Sequence, residues 1–233
     1  MDASKIGVVF DCDGTLLDSM GVWHGLQNEL AERAGGTLTA DDVAALAPMS
    51  IPECGAFFHE KFGLGESDRE VVGMIDEYML DFYRHRAEAR PGVLEFVQGL
   101  AQAGAHLTVA SSSPKPYLMA GIQRCGFAPY LERVLSVEDV HSTKREPDVW
   151  DRAREIMGTS KQLTWGVEDS AYAVGTLGGA GYRTLAVYDS DDAGTWDALQ
   201  ASAEHAIRSF EDLTVEEFLT WNEQPLFAGT ASK

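Results

Sequence analysis

Five short apolar runs recur along the chain, separated by longer segments with helical periodicity. The runs are Ile6–Phe10, His106–Ala110, Arg133–Val137, Leu163–Val167 and Thr184–Val187. A nearly continuous apolar run predicts a strand that is covered on both faces, as in a parallel sheet. Helical segments that open with Pro91, Pro114 and Pro147, each expected in the first helical turn, alternate with these runs. The alternation predicts an α/β fold with a doubly wound, Rossmann-like parallel sheet.

Residues 19–88 interrupt this alternation, because the segment contains helical patterns and no convincing strand. The patterns cover Trp23–Ala34, Asp41–Leu46, Pro52–Phe62 and Asp68–Arg86. Since the segment directly follows the first predicted strand, we expect an all-helical domain inserted into an α/β core that comprises residues 1–18 and 89–233. The end of the chain, from Trp221 to Lys233, has no clear period and is expected to form a loose tail.

Composition and charge restrict the class of partner. The chain has 233 residues, of which 45% are hydrophobic, so it is long enough to bury a sizeable core. It has 37 acidic residues against 18 Lys and Arg, and a net charge of −19 argues against nucleic acid and anionic membranes as partners. No apolar run approaches the roughly 20 residues of a membrane span, and Ile6–Phe10 is too short for a signal peptide. Three scattered cysteines, Cys12, Cys54 and Cys125, are typical of free thiols in the cytoplasm, where we expect the protein.

The densest candidate chemistry follows the first apolar run. Asp11 and Asp13 are two residues apart at the carboxyl end of the predicted strand, so their side chains point the same way. Gly14 permits a sharp turn directly after them. Ligands of open α/β sheets bind at this edge. Taken alone, however, an acidic pair followed by glycine is as typical of a polar turn as of a functional site.

Three further polar groups follow later strands. Ser111–Ser113 comes directly before a predicted helix, where hydroxyls and free amides suit a phosphate but serine also serves as an N-cap. Glu168 and Asp169 end a later strand, and Asp169 would also suit an N-cap. Lys144 lies in a loop, where a lone lysine is usually only solvated. The functional interpretation is favoured because every one of these groups falls at the carboxyl end of a strand or in the loop after it.

Acidic side chains gathered at one edge would repel each other and any phosphate dianion. Like charges about 4 Å apart cost several kcal/mol each at a protein-like dielectric. Such a site therefore requires a divalent cation and a nearby lysine. Since carboxylate oxygens are hard ligands, we expect Mg²⁺ as the cofactor.

Taken together, these groups form an ordered set of four motifs. They are Asp11-x-Asp13-Gly14-Thr15-x-x-Asp18, then Ser111 after a strand, then Lys144, then Glu168-Asp169. The set resembles that of the haloacid dehalogenase superfamily, and within it the branch of β-phosphoglucomutase-like proteins and small-molecule phosphatases. The resemblance runs from Ile6 to about Tyr188. The helical insertion occupies the place of that family's cap domain.

The resemblance implies a role for each catalytic residue. Asp11 would be the nucleophile that forms an aspartyl-phosphate. Asp13 would protonate the leaving oxygen and then deprotonate the hydrolytic water. Ser111 and Lys144 would hold and neutralise the phosphoryl oxygens.

The resemblance also implies a metal site and a substrate site. The metal ligands would be Asp11, Asp13 through its backbone carbonyl, Asp169, and Glu168 directly or through water. The candidates for substrate binding are Gly14, Thr15, Ser112 and Trp23. We therefore expect a Mg²⁺-dependent phosphatase that hydrolyses a small phosphorylated metabolite.

Two related activities are less favoured. Dehalogenation is disfavoured by Asp13, because a halide leaves without needing a proton. A phosphosugar mutase of the β-phosphoglucomutase type is the main alternative. In those mutases a His follows the first motif and an Arg lies in a cap loop. Here Trp23 takes the place of the His, with His24 next to it, and Ile51 takes the place of the Arg. Without an arginine fork to grip a second phosphate, the phosphatase is favoured.

A third alternative is a receiver-like signalling module that is phosphorylated on Asp and has no enzymatic activity. Such modules also gather acids, a hydroxyl and a lysine at a sheet edge. The large insertion and the order of the first motif disfavour this alternative. The identity of the substrate and the oligomeric state stay open at this point.

Overall fold

The computed structural model describes residues 2–46, 49–190 and 195–223. Within these ranges the chain forms two compact units. The first contains the described residues up to Asp18 and from Ala87 onwards, and the second extends from Ser19 to Arg86. That the second unit acts as a cap remains a prediction.

The first unit is built on a parallel sheet, as the recurring apolar runs predict. The strands are β1 (Gly7–Phe10), β2 (Leu17–Asp18), β3 (Glu88–Ala89), β4 (His106–Ser111), β5 (Arg133–Ser136), β6 (Thr164–Glu168), β7 (Arg183–Val187) and β8 (His205–Ile207). Six of them form one sheet in the order β5-β4-β1-β6-β7-β8, and every neighbouring pair is parallel. β2 and β3 form a separate antiparallel ribbon where the chain leaves and re-enters this unit. Because β1 lies between β4 and β6, the carboxyl ends of these three strands are neighbours.

The remaining regular elements are mostly helices. The α-helices are α1 (Met20–Arg33), α2 (Ala40–Leu46), α3 (Ile51–Phe62), α4 (Asp68–His85), α5 (Val93–Ala103), α6 (Lys115–Arg124), α7 (Asp148–Met157), α8 (Ala171–Gly179), α9 (Trp196–Ser202) and α10 (Val215–Trp221). The first four belong to the second unit and the others to the first. In the described part of the chain, no helix combines the length and apolar character needed to cross a membrane.

Two successive residues of β6 face opposite sides of the sheet, and both sides are covered by helices. Trp165 packs on α10, with ring centroids 5.0 Å from Phe218 and 5.8 Å from Trp221. Gly166 faces Leu177 of α8, and a Cβ built on this glycine would lie 2.3 Å from Leu177 Cδ1. Since side chains alternate along a strand, the two contacts define two helical layers around one sheet. The predicted doubly wound α/β class is confirmed.

The second unit contains the four helices that the sequence predicts, with ends within a few residues of the expected ones. Ser67 begins α4, where its hydroxyl accepts a hydrogen bond from the Glu70 amide at 3.2 Å. The buried stripe of α4 has the spacing of one helical face, and it comprises Val71, Ile75, Met79 and Tyr83. Gly63 ends α3 with a φ of 66°, the left-handed conformation typical of a helix C-terminus.

Two details of the predicted first unit are wrong. The three prolines precede their helices instead of lying in the first turn, because α5, α6 and α7 begin at Val93, Lys115 and Asp148. The loose tail cannot begin at Trp221, which ends α10, is buried, and stacks on His205 with ring centroids 3.8 Å apart. The rest of the expected tail, residues 224–233, lies outside the described residues.

Candidate active site

The turn after β1 presents the first two acidic residues. The Asp11 amide donates a hydrogen bond to the Val167 carbonyl at 2.9 Å, which extends the pairing of β1 with β6 by one residue. Gly14 has a φ of 80°, a conformation that residues with a Cβ rarely adopt, and its amide donates to the Leu17 carbonyl at 2.9 Å. The turn therefore closes on its own backbone and holds both Asp11 and Asp13 in buried positions.

Lys144 reaches this turn from the loop before α7. Its ammonium forms ion pairs with Asp11 and with Glu168, and Nζ lies 2.8 Å from Glu168 Oε1. All three side chains are buried, and only 4% of Lys144 is exposed. The alternative of a merely solvated loop lysine is therefore wrong.

Three carboxylates meet at the ends of β1 and β6. Asp11, Glu168 and Asp169 each offer one oxygen, and these oxygens lie within 4.8 Å of one another. The Asp13 carboxylate has a different partner, because its Oδ2 accepts a hydrogen bond from the Ser113 hydroxyl at 2.6 Å. A role of Asp13 as a metal ligand, through its backbone carbonyl, stays a prediction.

Burial makes this acidic group difficult to ionise. It raises the pKa of Asp11 and raises that of Glu168 to about 8, although the Lys144 ammonium lowers both. Burial lowers the pKa of Lys144, but the carboxylates of Asp11 and Glu168 raise it by more, so the lysine keeps its charge. The cluster thus contains more acid than its one ammonium can neutralise. Excess negative charge on hard oxygen donors fits a divalent cation such as Mg²⁺.

The three serines at the end of β4 and after it differ in burial and in their hydrogen-bond partners. Ser111 is buried, and its Oγ accepts a hydrogen bond from the Ser113 amide at 3.1 Å. Ser113 is also buried and binds Asp13, whereas Ser112 is exposed. The N-cap position of α6 is occupied by Pro114 and has no side-chain capping bond. The N-cap alternative for Ser112 and Ser113 is therefore wrong.

The N-cap alternative for Asp169 also fails. The N-cap residue of α8 is Ser170, and no side chain caps this helix end. Asp169 instead contributes a carboxylate oxygen to the acidic cluster.

The remaining candidates for substrate binding are less well placed. Thr15 is fully buried, and its hydroxyl has no hydrogen-bond partner in the described part of the chain. Trp23 lies half-buried on α1 of the second unit, so its contact with a substrate stays a prediction. The side chain of His24, next to it, lies outside what the structure describes.

One residue near the cluster was not singled out from the sequence. Trp150 is buried on α7, and Lys144 Nζ lies 5.9 Å from the centroid of its ring. An aromatic face attracts a cation in this way and covers the lysine against water. Its position in the sequence could have indicated this contact. Trp150 lies on the first turn of the helix that follows Lys144, three residues after Pro147.

A family model for haloacid dehalogenase-like hydrolases matches residues 7–181. The chain belongs to this family. The matched range includes Asp11 and Asp13, Lys144, and the acidic pair Glu168 and Asp169. The protein is therefore an enzyme of the hydrolase class.

Two relatives agree with this assignment, and a solved structure shares the fold. The chain is 23% identical over 154 residues to a phosphoglycolate phosphatase of Rhodobacter capsulatus, covering 64% of this chain and 70% of the relative. It is 26% identical over 213 residues to the pyrophosphatase PpaX of Halalkalibacterium halodurans, covering 88% and 94%. A solved structure from Thermotoga maritima, described as a β-phosphoglucomutase, has a TM-score of 0.77 at 19% identity and covers 92% of this chain and 98% of its own. At that identity, the likeness shows the fold alone.

Proposed function

We propose that the protein is a Mg²⁺-dependent phosphatase that hydrolyses a small-molecule phosphomonoester through an aspartyl-phosphate on Asp11. The observation that carries the proposal is the buried Lys144 ammonium paired with Asp11 and Glu168 at the carboxyl edge of the sheet. The names of two relatives, a phosphoglycolate phosphatase and a pyrophosphatase, support phosphoryl chemistry.

Asp11, Glu168 and Asp169 would hold the metal ion, because their oxygens already lie within 4.8 Å of one another. When bound, Mg²⁺ supplies positive charge that stabilises the phosphoryl oxygens and offsets the surplus of buried acid. Lys144 adds a second fixed positive charge on the side of Asp11 and Glu168. The nucleophile can thus meet a dianion without prohibitive repulsion.

The proposed reaction proceeds in two displacements. In the first, an Asp11 carboxylate oxygen bonds to phosphorus while the ester P–O bond breaks, and Asp13 donates its proton to the leaving alkoxide. In the second, Asp13 takes a proton from water, the water oxygen bonds to phosphorus, and the bond from phosphorus to Asp11 breaks. Ser111 and Lys144 would hold the phosphoryl oxygens through both steps.

Ser113 would assist by orienting the acid and base. Its hydroxyl donates to Asp13 Oδ2 at 2.6 Å, which limits rotation of the carboxylate. The Ser113 amide in turn donates to Ser111 Oγ at 3.1 Å, so one serine run links the phosphate-binding residue and the proton carrier.

The mutase alternative has less support than the phosphatase. A mutase must hold a second phosphate, and Ile51 stands where the resembling mutases have an arginine. A receiver-like module is distinguished by turnover, because it would take up phosphate once and not release it continuously.

The test is phosphate release from p-nitrophenyl phosphate with Mg²⁺ and after chelation with EDTA. We expect continuous release that requires Mg²⁺ and that Asp11→Asn lowers by more than about 10³-fold. Asp139→Asn is the matched control, since Asp139 lies on the surface of the same unit and pairs with Lys115. A wild-type rate in Asp11→Asn would show that Asp11 is not the nucleophile. A panel of phosphorylated metabolites then identifies the substrate class.

A further inference from the structure

Three exposed side chains of the first unit are near the residues of the buried cluster in the sequence, namely Ser112, Arg145 and Tyr172. Each follows a buried residue of the site closely in the sequence: Ser112 lies in the loop after β4, Arg145 in the loop before α7, and Tyr172 in the first turn of α8, three residues after Asp169. Tyr172 is 49% exposed, which is unusual for a large aromatic side chain beside a buried polar cluster. We refer to these three residues as the rim.

Two of the rim residues contact each other, and the charges of the cluster affect the Tyr172 phenol. The Arg145 guanidinium lies 5.3 Å from the centroid of the Tyr172 ring. Burial raises the pKa of the Tyr172 phenol, the Lys144 ammonium lowers it and the Glu168 carboxylate raises it, so Tyr172 lies close enough to the cluster to be affected by its charges. The Ser112 hydroxyl lowers the pKa of the same phenol slightly.

The placement of Arg145 leaves its hydrogen-bond donors available. The Arg145 guanidinium lies over an aromatic ring, and the N–H groups of a guanidinium in such a position can still bind a carboxylate or phosphate. No carboxylate of the described residues forms an ion pair with Arg145, although the chain has 37 Asp and Glu against 18 Lys and Arg. An arginine without an acidic partner, held beside an anion site in an acidic protein, is suited to bind an anion.

We propose that the rim is a subsite for a second anionic group, a carboxylate or a phosphate, carried by the leaving group of the substrate. Arg145 binds this group, and Tyr172 holds the guanidinium in place. The inference rests on the proposed phosphatase function and specifies its substrate class. In a chain with a net charge of −19, a substrate with two anionic groups needs a local cation beyond Lys144.

The experiment compares kcat/KM for 2-phosphoglycolate, whose leaving group carries a carboxylate, with kcat/KM for glycerol 2-phosphate, whose leaving group is neutral. The measured quantity is the ratio of the two values. We expect Arg145→Ala to lower this ratio by about tenfold or more, because a charge-assisted bidentate contact is lost only for the carboxylate substrate.

Two variants of Tyr172 separate the ring from the hydroxyl. Tyr172→Phe keeps the stacking surface and is expected to hold the ratio within about twofold of the wild type. Tyr172→Ala removes the surface and is expected to lower the ratio in the same direction as Arg145→Ala. Arg152→Ala is the matched control, since it also removes one positive charge from the exposed surface and breaks only a pair with Glu155.

The outcomes distinguish this inference from the function on which it rests. An unchanged ratio in Arg145→Ala, or an equal fall for both substrates, overturns the subsite. The same result in Arg152→Ala as in Arg145→Ala also overturns it, because net charge alone would then explain the effect. A wild-type protein that releases phosphate from neither compound nor from p-nitrophenyl phosphate refutes the phosphatase itself.

Discussion

Lys144 is the residue on which the electrostatics of the site depend most. It is the ammonium that the structure pairs with two buried carboxylates, those of Asp11 and Glu168. Breaking a buried ion pair from one side leaves uncompensated charge, which costs far more than losing a surface pair. In the proposed mechanism, stability and catalysis would therefore depend on the same side chain.

We predict that Lys144→Met lowers phosphate release by at least about 100-fold, because a fixed positive charge at the phosphoryl oxygens is lost. We also expect it to lower the free energy of unfolding by about 3–5 kcal/mol near neutral pH. Steady-state kinetics and urea unfolding measure the two effects. Lys115→Met is the control, because Lys115 is 44% exposed and its pair with Asp139 contributes less than about 1 kcal/mol. A Lys144→Met protein with wild-type activity would remove the lysine from the mechanism.

For single residues, the sequence predicted which site residues lie close together, but it did not predict all of the hydrogen bonds between their side chains. Asp11, Lys144 and Glu168 meet because strand ends of a parallel sheet share one edge, and strand ends are readable from apolar runs. The bond from Ser113 to Asp13 was not predicted, because it joins residues 100 positions apart and depends on side-chain rotamers. A serine before a helix also suits an N-cap, and only the backbone course at Pro114 excludes that role.

At the scale of elements, the close packing of β6 and α8 fixes the position of the acidic pair between them. Gly166 allows Leu177 to lie against the sheet, since a Cβ at this position would meet Leu177 Cδ1 at 2.3 Å and Cδ2 at 2.7 Å. The helix begins two residues after Asp169. A displacement of α8 would therefore move Asp169 of the acidic cluster.

We predict that Gly166→Ala lowers the free energy of unfolding by about 1–3 kcal/mol through overpacking. Leu177→Ala creates a cavity and is expected to cost about 2–5 kcal/mol alone. In the double variant, the alanine Cβ occupies part of that cavity, so the total cost should be at least about 0.5 kcal/mol smaller than the sum. Denaturant unfolding of the wild type, the two single variants and the double variant gives the four free energies of this double-mutant cycle. Gly178→Ala in the same helix is the control, since nothing lies within 4 Å of its added Cβ. Strict additivity would contradict the proposed contact.

A second pair of elements, α2 and α3, is joined by Asp42. Its carboxylate forms an ion pair with Lys61 of α3 and accepts hydrogen bonds from the Thr39 amide at 3.0 Å and hydroxyl at 2.8 Å. The Lys61 ammonium, followed by Thr39, lowers the pKa of Asp42 to about 2. Because the folded pKa lies below the unfolded one, Asp42 stabilises the protein fully above the unfolded pKa of 3.8 and loses this contribution as the pH falls through about 2.

We therefore predict that Asp42→Asn lowers the Tm most above about pH 4, and that the difference from the wild type shrinks toward about pH 2. Thermal unfolding followed by circular dichroism across this range gives the measurement. The adjacent Asp41→Asn serves as the control, because Asp41 is exposed on the same helix turn. A Tm difference that stays constant with pH would show that the ionised carboxylate is not the stabilising group.

The elements that the sequence missed are short, and β8 and α10 are two of them. β8 has only three residues and no apolar run, so its pairing with β7 decides its conformation. α10 has seven residues, too few to establish a period, although Thr214 and Glu217 carried a readable start signal. The central strands were predicted because burial on both faces leaves a continuous apolar run.

At the scale of the whole molecule, charge and function oppose each other. A net charge of −19 produces a negative potential around the protein, whereas the proposed substrates are anions. Lys144 and Arg145 would act over short distances, so they would stabilise a bound anion without cancelling the long-range field. The acidic surface that disfavours nucleic acid and anionic membranes would therefore also slow the approach of such a substrate.

We predict that kcat/KM for p-nitrophenyl phosphate rises a few-fold when the ionic strength is raised from about 20 to about 200 mM, because salt screens the repulsion beyond about 10 Å. Enzymes whose field attracts the substrate respond in the opposite direction. Steady-state kinetics in potassium chloride at a fixed concentration of free Mg²⁺ gives the measurement, and sorbitol at matched osmolality is the control. If kcat/KM fell steadily with salt, the local cations would dominate the approach of the substrate, and the acidic surface would have no part in setting the rate.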